Sequence, residues 1–267
     1  MPAEHLVELN YWVAQSVRLT AFPAGLIDSD SVVDWWRDVA GSRPEESRAR
    51  PREGQLTEAG TVALDEGRGV QVQLDVLPIR AEWRIAPPEG EDGQENDQRD
   101  GDSFALTSLD EFGRATELIQ VVARRWWPMA PPLKRLAFGA VIVHPIDSVE
   151  DAYQELSRFV HYPLDREHMS DFLLQVNRPR LARSTSESLQ LNRLVKWSGL
   201  TIRRVQLSVT GNQVEPGPSL ESYAVRCELD INTSATRQEP LPVGQLPELF
   251  AEMCALASEI AQSGDIA

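Results

Sequence analysis

The chain has 267 residues, of which 42% are apolar, and its net charge at pH 7 is −15. This length permits one large domain or two smaller ones, and the apolar content excludes disorder of the whole chain. The negative charge disfavours non-specific attraction to nucleic acid, and neither a bilayer-spanning apolar stretch nor a signal peptide is found. We therefore expect a cytoplasmic protein with no membrane partner.

Strand and helix patterns alternate in the first part of the chain. Apolar residues recur at every second position from 6 to 22, which predicts a long half-buried strand. Asp28 and its neighbours offer N-caps to a helix at 31–39. The polar stretch 41–54 is predicted to be a loop. Three short strands are predicted at 61–64, 70–77 and 79–86.

An acidic segment separates these strands from the next helix. Residues 89–102 carry seven acids against Arg99 alone, so we predict a mobile acidic loop at 87–103. A helix is predicted from about 108 to 127, where Pro128 stops it. A proline-rich hinge at 128–133 follows.

The same order of elements then begins again. A strongly apolar strand is predicted at 136–144, and Ser148 is expected to cap a helix at 149–160. Four further strands and a terminal amphipathic helix are predicted at 172–177, 189–197, 200–209, 223–231 and about 245–262.

The repeated order predicts the fold class. Residues 1–127 form a β-α-β-β-β-α half and residues 134–267 a β-α-β(4)-α half, which an internal duplication would explain. We expect an α+β protein with an antiparallel sheet covered by helices on one face. Two arrangements are compatible with this order: one long sheet joined edge to edge, or two separate lobes.

Several stretches of the second half resemble a known family. They are the strand DFLLQVN (171–177), the segment RCELDIN (226–232), and a proline-containing linker before a long amphipathic terminal helix. With the order of elements, they resemble a sporadically distributed bacterial family of uncharacterised proteins of about this length. The resemblance covers most of 134–267 and implies a bacterial cytosolic protein of the accessory genome, where toxin–antitoxin and phage-defence genes are common neighbours. It implies no catalytic residues. The duplicated plan also resembles TATA-binding proteins, at the level of fold alone.

The two cysteines lie inside apolar patterns. Cys227 falls on a predicted strand and Cys254 on a predicted helix. We predict two buried free thiols, as expected in a reducing compartment, with a disulfide or a reactive thiol as the alternatives.

Known catalytic, metal and phosphate-binding motifs are not found in the sequence. We therefore assign no catalytic residue, no metal site and no cofactor. His161, Asp165, Glu167 and His168 are of types that ligate zinc or transfer protons, but their spacing matches no metal signature and a solvated turn is favoured. His144 ends a predicted strand, where capping a neighbouring carbonyl is the commoner role.

A basic stretch in the second half is the candidate ligand-binding or partner-binding site. Its members are Arg178, Arg180, Arg193, Lys196, Trp197, Arg203 and Arg204. Arginine binds phosphates and carboxylates through two hydrogen bonds, and a tryptophan face accepts a stacked base or a cation. The alternative is that these arginines pair with the surplus acids of the same chain.

Two pairs of adjacent tryptophans lie on predicted helices. In a regular helix, one member of Trp35–Trp36 and one of Trp126–Trp127 must point away from the core-facing stripe. We therefore expect exposed tryptophans, available either to a partner or to contact between the two halves.

The leading hypothesis is a non-enzymatic protein-interaction component, of an antitoxin-like or phage-defence accessory kind. Its expected partner is another protein, as part of a larger complex. The alternatives are a nucleic-acid-binding protein that uses the basic segment 178–204, and an enzyme of unknown class.

Overall fold

The computed structural model describes residues 11–50, 52–64, 69–87, 109–160, 162, 164, 169, 171–186, 188–210, 213–237 and 239–264. Within them it contains four α-helices and an antiparallel sheet of eleven strands, so the α+β class is confirmed. Apart from Pro87, the acidic segment 87–103 lies outside the described residues. So do His161, Asp165, Glu167 and His168.

The elements follow the chain in this order. The first half contains β1 Val13–Pro23, α1 Ser29–Ala40, β2 Glu46–Arg50, β3 Gln55–Val62, β4 Val70–Leu77, β5 Arg80–Ile85, β6 Asp110–Glu111 and α2 Phe112–Trp126. The second half contains β7 Leu133–Ile146, α3 Val149–Phe159, β8 Leu173–Asn177, β9 Arg180–Leu181, β10 Gln190–Thr210, β11 Gln213–Thr233 and α4 Leu246–Ser263. Short 3-10 turns lie at Trp127–Met129 and Val243–Gln245.

All the described strands belong to one sheet. Their order is β2-β3-β4-β5-β1-β7-β11-β10-β8, with β6 beside β1 and β9 beside β10. The first strands of the two halves, β1 and β7, are antiparallel neighbours at its centre. Of the two arrangements compatible with the sequence, the single sheet joined edge to edge is therefore the one observed.

A row of large apolar side chains crosses one face of the sheet. Leu74 lies opposite Trp83, Trp83 opposite Leu19, Leu19 opposite Phe138, and Phe138 opposite Ile231. Residues directly opposite one another share a face, and all five are buried. The central strands β1, β5, β7 and β11 contact α2 or α4. The core thus lies between these strands and the helices.

The other face of the central strands is polar. Thr20 Oγ1 donates a hydrogen bond of 3.0 Å to Glu82 Oε2. Arg18 lies opposite Gly139, and a Cβ atom at Gly139 would come within 2.6 Å of the Arg18 guanidinium carbon. Because glycine has no side chain, it lets this guanidinium lie flat on the neighbouring strand.

The loop predicted at 41–54 is wrong in part, because it contains the edge strand β2. Arg48 of β2 lies opposite Thr57 of β3, and all five residues of β2 are exposed. With neither face covered, such a strand has no apolar alternation to reveal it. β3, which pairs with β2, also begins at Gln55, before the start of the strand predicted at 61–64.

The prediction of two separate strands at 189–197 and 200–209 is wrong, because β10 is one strand of 21 residues. Val195 and Trp197 are buried at odd positions, whereas the first apolar residues beyond Gly199 are Leu200 and Ile202, at even positions. This change of phase resembles a break between strands. In the structure the ladder with β11 continues through it without a shift of register.

Both predicted helix caps are confirmed. The Asp28 side chain accepts a hydrogen bond of 3.1 Å from the backbone N–H of Asp30, at the start of α1. Ser148 Oγ accepts one of 3.1 Å from the backbone N–H of Asp151, at the start of α3. Each cap pairs an N–H group that has no partner inside the helix.

The expectation of one exposed tryptophan in the first pair is wrong. Trp35 is 5% exposed and Trp36 is 1% exposed. Trp36 stacks on Trp83 of the sheet at a centroid distance of 6.2 Å, and Trp35 meets Trp126 of α2 edge-on at 5.5 Å. Because α1 packs against both the sheet and α2, two adjacent positions are buried in different directions.

The second pair of tryptophans behaves differently. Trp126 is buried and Trp127 is half-buried. Trp127 contacts Phe250 of α4 at a centroid distance of 5.9 Å. This ring therefore serves contact between the two halves.

The predicted state of the cysteines is confirmed. Cys227 and Cys254 are both buried and both free. Burial raises the pKa of each thiol, because an apolar surrounding disfavours the thiolate.

Candidate functional site

Beyond the body of the sheet, the two longest strands continue as a two-stranded projection. The ladder between β10 and β11 extends to the pair Thr210 and Gln213. However, β8 accompanies β10 only as far as Ser198, and β7 accompanies β11 only as far as Tyr223. Among the described residues, 199–210 and 213–222 pair with each other alone, and we call these two segments the arm. At roughly 3.3 Å per residue, the arm is about 40 Å long.

The base of the arm is held by a short polar cluster. Arg203 Nε donates a hydrogen bond of 2.8 Å to Glu221 Oε1 across the ladder. Tyr223 Oη donates another of 2.8 Å to Glu221 Oε2. The hydrogen bond from Tyr223 and the Arg203 guanidinium lower the pKa of Glu221, so this carboxylate is ionised and compensates the charge of Arg203.

The outer edge of β10 offers unpaired backbone groups along the arm. Arg193 C=O accepts from Arg178 N–H on the β8 side, whereas Gln190 C=O accepts from Ser234 N–H on the β11 side. These directions alternate along an antiparallel strand, and no register shift occurs as far as Val205. The odd residues, such as Thr201 and Val205, therefore turn N–H and C=O away from β11. In the described part of the chain, no further strand receives them.

The outer edge of β11 is different, because it contains prolines. Pro216 lies opposite Leu207, and Pro218 follows close by in the same strand. Proline has no N–H and is tolerated in a ladder where its nitrogen faces outward. A register shift between Val205 and Leu207 further interrupts this part of the ladder. The β11 edge is thus protected against pairing with another strand, and the β10 edge is not.

The outermost strands of the sheet are short by comparison. β2 has five exposed residues, and its Glu46 and Arg48 form an ion pair of 2.6 Å. β8 also has five residues. Short and charged edges are devices that proteins use against unwanted strand addition. Among these strand edges, the β10 edge of the arm is the longest that is open, with twelve residues and two charges, Arg203 and Arg204.

The structure places the predicted aromatic member of the basic site inside the core. Trp197 is 1% exposed, and its ring stacks on Phe159 at a centroid distance of 4.9 Å and an interplanar angle of 13°. Trp12 lies against it at 5.9 Å. Its face is therefore covered by other rings and does not meet solvent.

Arg193 and Arg178 are engaged at the start of β10. Arg193 is 6% exposed, and its Nε donates a hydrogen bond of 2.9 Å to the Arg178 carbonyl. Its backbone N–H donates to Asn177 Oδ1 at 3.1 Å. These contacts hold β8 and the following turn against β10.

Two further basic residues form ion pairs with acids of the same chain. Lys196 Nζ lies 3.0 Å from Glu228 Oε1 on β11, and Arg180 lies 3.4 Å from Glu252 on α4. Lys196 occupies an even position of β10, so it lies on the opposite face of the sheet from Trp197. The side chain of Arg204 lies outside the described residues. The described members of the basic segment are thus divided between two faces instead of forming one surface.

The loop after β9 is fastened to α4 by Glu252. This carboxylate accepts hydrogen bonds from the backbone N–H groups of Arg183 at 2.9 Å and Ser184 at 2.8 Å. Partial burial opposes ionisation, but the hydrogen bonds from Ser184 and Arg183 and the charge of Arg180 lower the pKa of Glu252 overall. Glu252 therefore has a structural role, because it holds Arg180 of β9 and the backbone of the following loop against α4.

His144 does not end its strand, because β7 continues to Ile146, but its side chain does contact a neighbouring carbonyl. Its Nδ1 lies 3.0 Å from the Tyr11 carbonyl oxygen, and its ring stacks on the Tyr11 ring at 3.6 Å. Burial lowers the pKa of His144. The neutral ring then donates from Nδ1–H to that carbonyl. Among the described residues, no group of three or more His, Cys, Asp or Glu side chains is arranged to hold a metal ion.

No protein-family model matches the chain, and no similar curated protein is found. The resemblance to the bacterial family therefore stays a prediction. None of the described helices has both the length and the apolar character needed to cross a membrane.

Proposed function

We propose that this chain is a protein-interaction component and that the arm is its docking element. The open β10 edge carries the proposal, because a long strand with few charges and unpaired backbone groups recruits another strand. A two-stranded ribbon standing alone in water is also only marginally stable. Addition of a strand from a partner would stabilise it.

The charge of the arm favours a protein partner over nucleic acid. The arm contains Arg203 and Arg204 together with Glu215 and Glu221, so its formal charge is zero. Ribbons that enter nucleic-acid grooves neutralise phosphates with an excess of lysine and arginine. The chain as a whole carries −15, which repels phosphates further. An antitoxin-like or phage-defence role is a narrower form of the proposal.

We also propose that the two halves arose by duplication and that the helices cover one face of the sheet. Reading outward from the centre, β1 is followed by β5, β4, β3 and β2, and β7 is followed by β11, β10 and β8. In both halves the first strand therefore lies beside the last strand of more than two residues, β5 or β11. The buried row on the central strands and the contacts of α2 and α4 with those strands support a single covered face.

A shortened arm tests the proposed function. Ile202 and Ser222 lie opposite each other, so joining them through an Asn-Gly turn removes 203–221 and retains the strand pairs of the body. None of residues 199–203, 221 and 222 belongs to the buried core, so the body should keep its thermal unfolding midpoint. A variant with Glu46→Ala and Arg48→Ala, at the opposite edge of the sheet, is the control.

The assay is capture from an extract of the native host, with each protein immobilised in the same amount. We expect the full chain and the edge control to retain the same protein at near-stoichiometric level and the shortened variant to lose it. Copies of this chain count as a captured protein. Equal capture by the full and shortened chains, or no capture by either, would contradict the proposal.

A further inference from the structure

We infer that the arm binds a second copy of this chain, by antiparallel pairing of the two β10 edges around a twofold axis. The inference rests on the proposed function and names the partner. In this arrangement the two ribbons form a four-stranded sheet that connects one body to the other. It satisfies the outward backbone groups of β10 and leaves the proline-containing β11 edges outside.

A strand can pair with its own copy only where the sequence tolerates the twofold register. With Val205 on the axis, Arg203 lies opposite Leu207 of the second copy, and Thr201 lies opposite Val209. All of these are odd positions. Between the pairs Val205–Ser219 and Leu207–Pro216, β10 advances two residues and β11 three, so the extra residue lies on β11 and the N–H and C=O groups of the odd β10 residues still turn outward. This register places no like charges directly opposite, a pairing that would destabilise a sheet.

The distribution of charge favours self-association through the arm over contact between the bodies. Each chain carries −15, but the formal charge of the arm is zero. Pairing at the arm keeps the two acidic bodies apart by a distance comparable with its length of about 40 Å. Charges in physiological salt are screened beyond about 8 Å. The arm is therefore a place where two such chains can meet with little repulsion.

The two edges of the arm provide a matched pair of variants. Thr201→Pro removes an outward N–H from the β10 edge, and Ser219→Pro removes an outward N–H from the β11 edge. Both positions lie in the part of the ladder without a register shift, so neither proline removes a hydrogen bond between β10 and β11. Sedimentation equilibrium of the purified full-length proteins over a wide concentration range gives the mass of each.

For the unchanged chain and for Ser219→Pro, we expect association to twice the chain mass of 29.8 kDa. Thr201→Pro should dissociate at least tenfold more readily. Urea unfolding of the dilute proteins checks that both proline variants keep the folded body.

Each contrary result has a distinct meaning. An unchanged chain that stays monomeric at every concentration overturns pairing between copies. So does a dimer that the two prolines weaken equally. The arm would still be the docking element if host capture is lost on shortening it, with an extended segment of another protein as the occupant. If shortening the arm leaves capture unchanged, the proposed function fails with the inference.

Discussion

Replacement of Trp197 by alanine tests whether this residue is part of the core or a platform on which a ligand stacks. The indole is 1% exposed, is stacked on Phe159 at 4.9 Å, and lies 5.9 Å from the Trp12 ring. Truncation of a buried tryptophan costs about 3–5 kcal/mol, through lost apolar contact and the cavity left behind. Many domains have a total stability of only about 5–15 kcal/mol, so this loss is large.

Urea unfolding followed by circular dichroism measures the effect. With a slope of about 3 kcal/mol per M, the Trp197→Ala midpoint should fall by about 1–1.7 M. Leu173→Ala is the control, because Leu173 is 57% exposed on β8 and should change stability by less than about 0.5 kcal/mol. If the midpoint of Trp197→Ala fell no further than that of Leu173→Ala, the tryptophan would not be part of the core and the packing argument would be refuted.

Three further predictions concern a cap, a histidine and the thiols. Ser148→Ala should lower the free energy of unfolding by about 0.5–2 kcal/mol, through loss of the α3 cap, and an unchanged unfolding midpoint would contradict this. The pKa of His144 is lower in the folded state, so its neutral form stabilises the fold above about pH 6.5 and this stability is lost as the pH falls. Between pH 7 and pH 5, His144→Asn should therefore lose less unfolding free energy than the unchanged chain. An equal loss in the two proteins would show that His144 does not contribute to the pH dependence of stability. A thiol reagent should label Cys227 and Cys254 only after denaturation, and rapid labelling of the native chain would show that they are accessible.

Sequence patterns predicted those elements that have one buried face and one more exposed face. The alternation of Val17, Leu19 and Ala21 predicted the body of β1, and these residues are buried. β4 has the bounds that the pattern predicted. Ser148 was recognisable because capping needs a particular residue type immediately before an apolar periodicity. In each case the chemical requirement is local, so it can be recognised from neighbouring residues in the sequence.

The errors of prediction occurred where a strand does not have one buried face and one exposed face. All of β2 is exposed, so its sequence resembles a polar loop. In β10 the apolar phase changes at Gly199, where the strand leaves the body, and the change was interpreted as a break. The pairing of β10 with β11 decides that it is one strand, and such pairing between distant segments is not encoded in local periodicity.

The candidate site was predicted in part. Arg203 is on the arm, but the clustering of arginines did not show that Lys196 and Trp197 lie on opposite faces, because that depends on β10 being continuous. Adjacent Trp35 and Trp36 were expected to differ in exposure on the assumption of one contact surface for α1. The helix has two contact surfaces, on the sheet and on α2.

Residue-resolved amide hydrogen exchange along β10 tests the docking role of the arm most directly. In dilute solution, the inward amides of Leu200 and Ile202 should be more protected than the outward amides of Thr201 and Arg203. On raising the concentration, the outward amides alone should gain protection as the second copy binds. The docking role of the arm would be contradicted if the outward amides exchanged at the same rate at all concentrations, both with and without captured host protein.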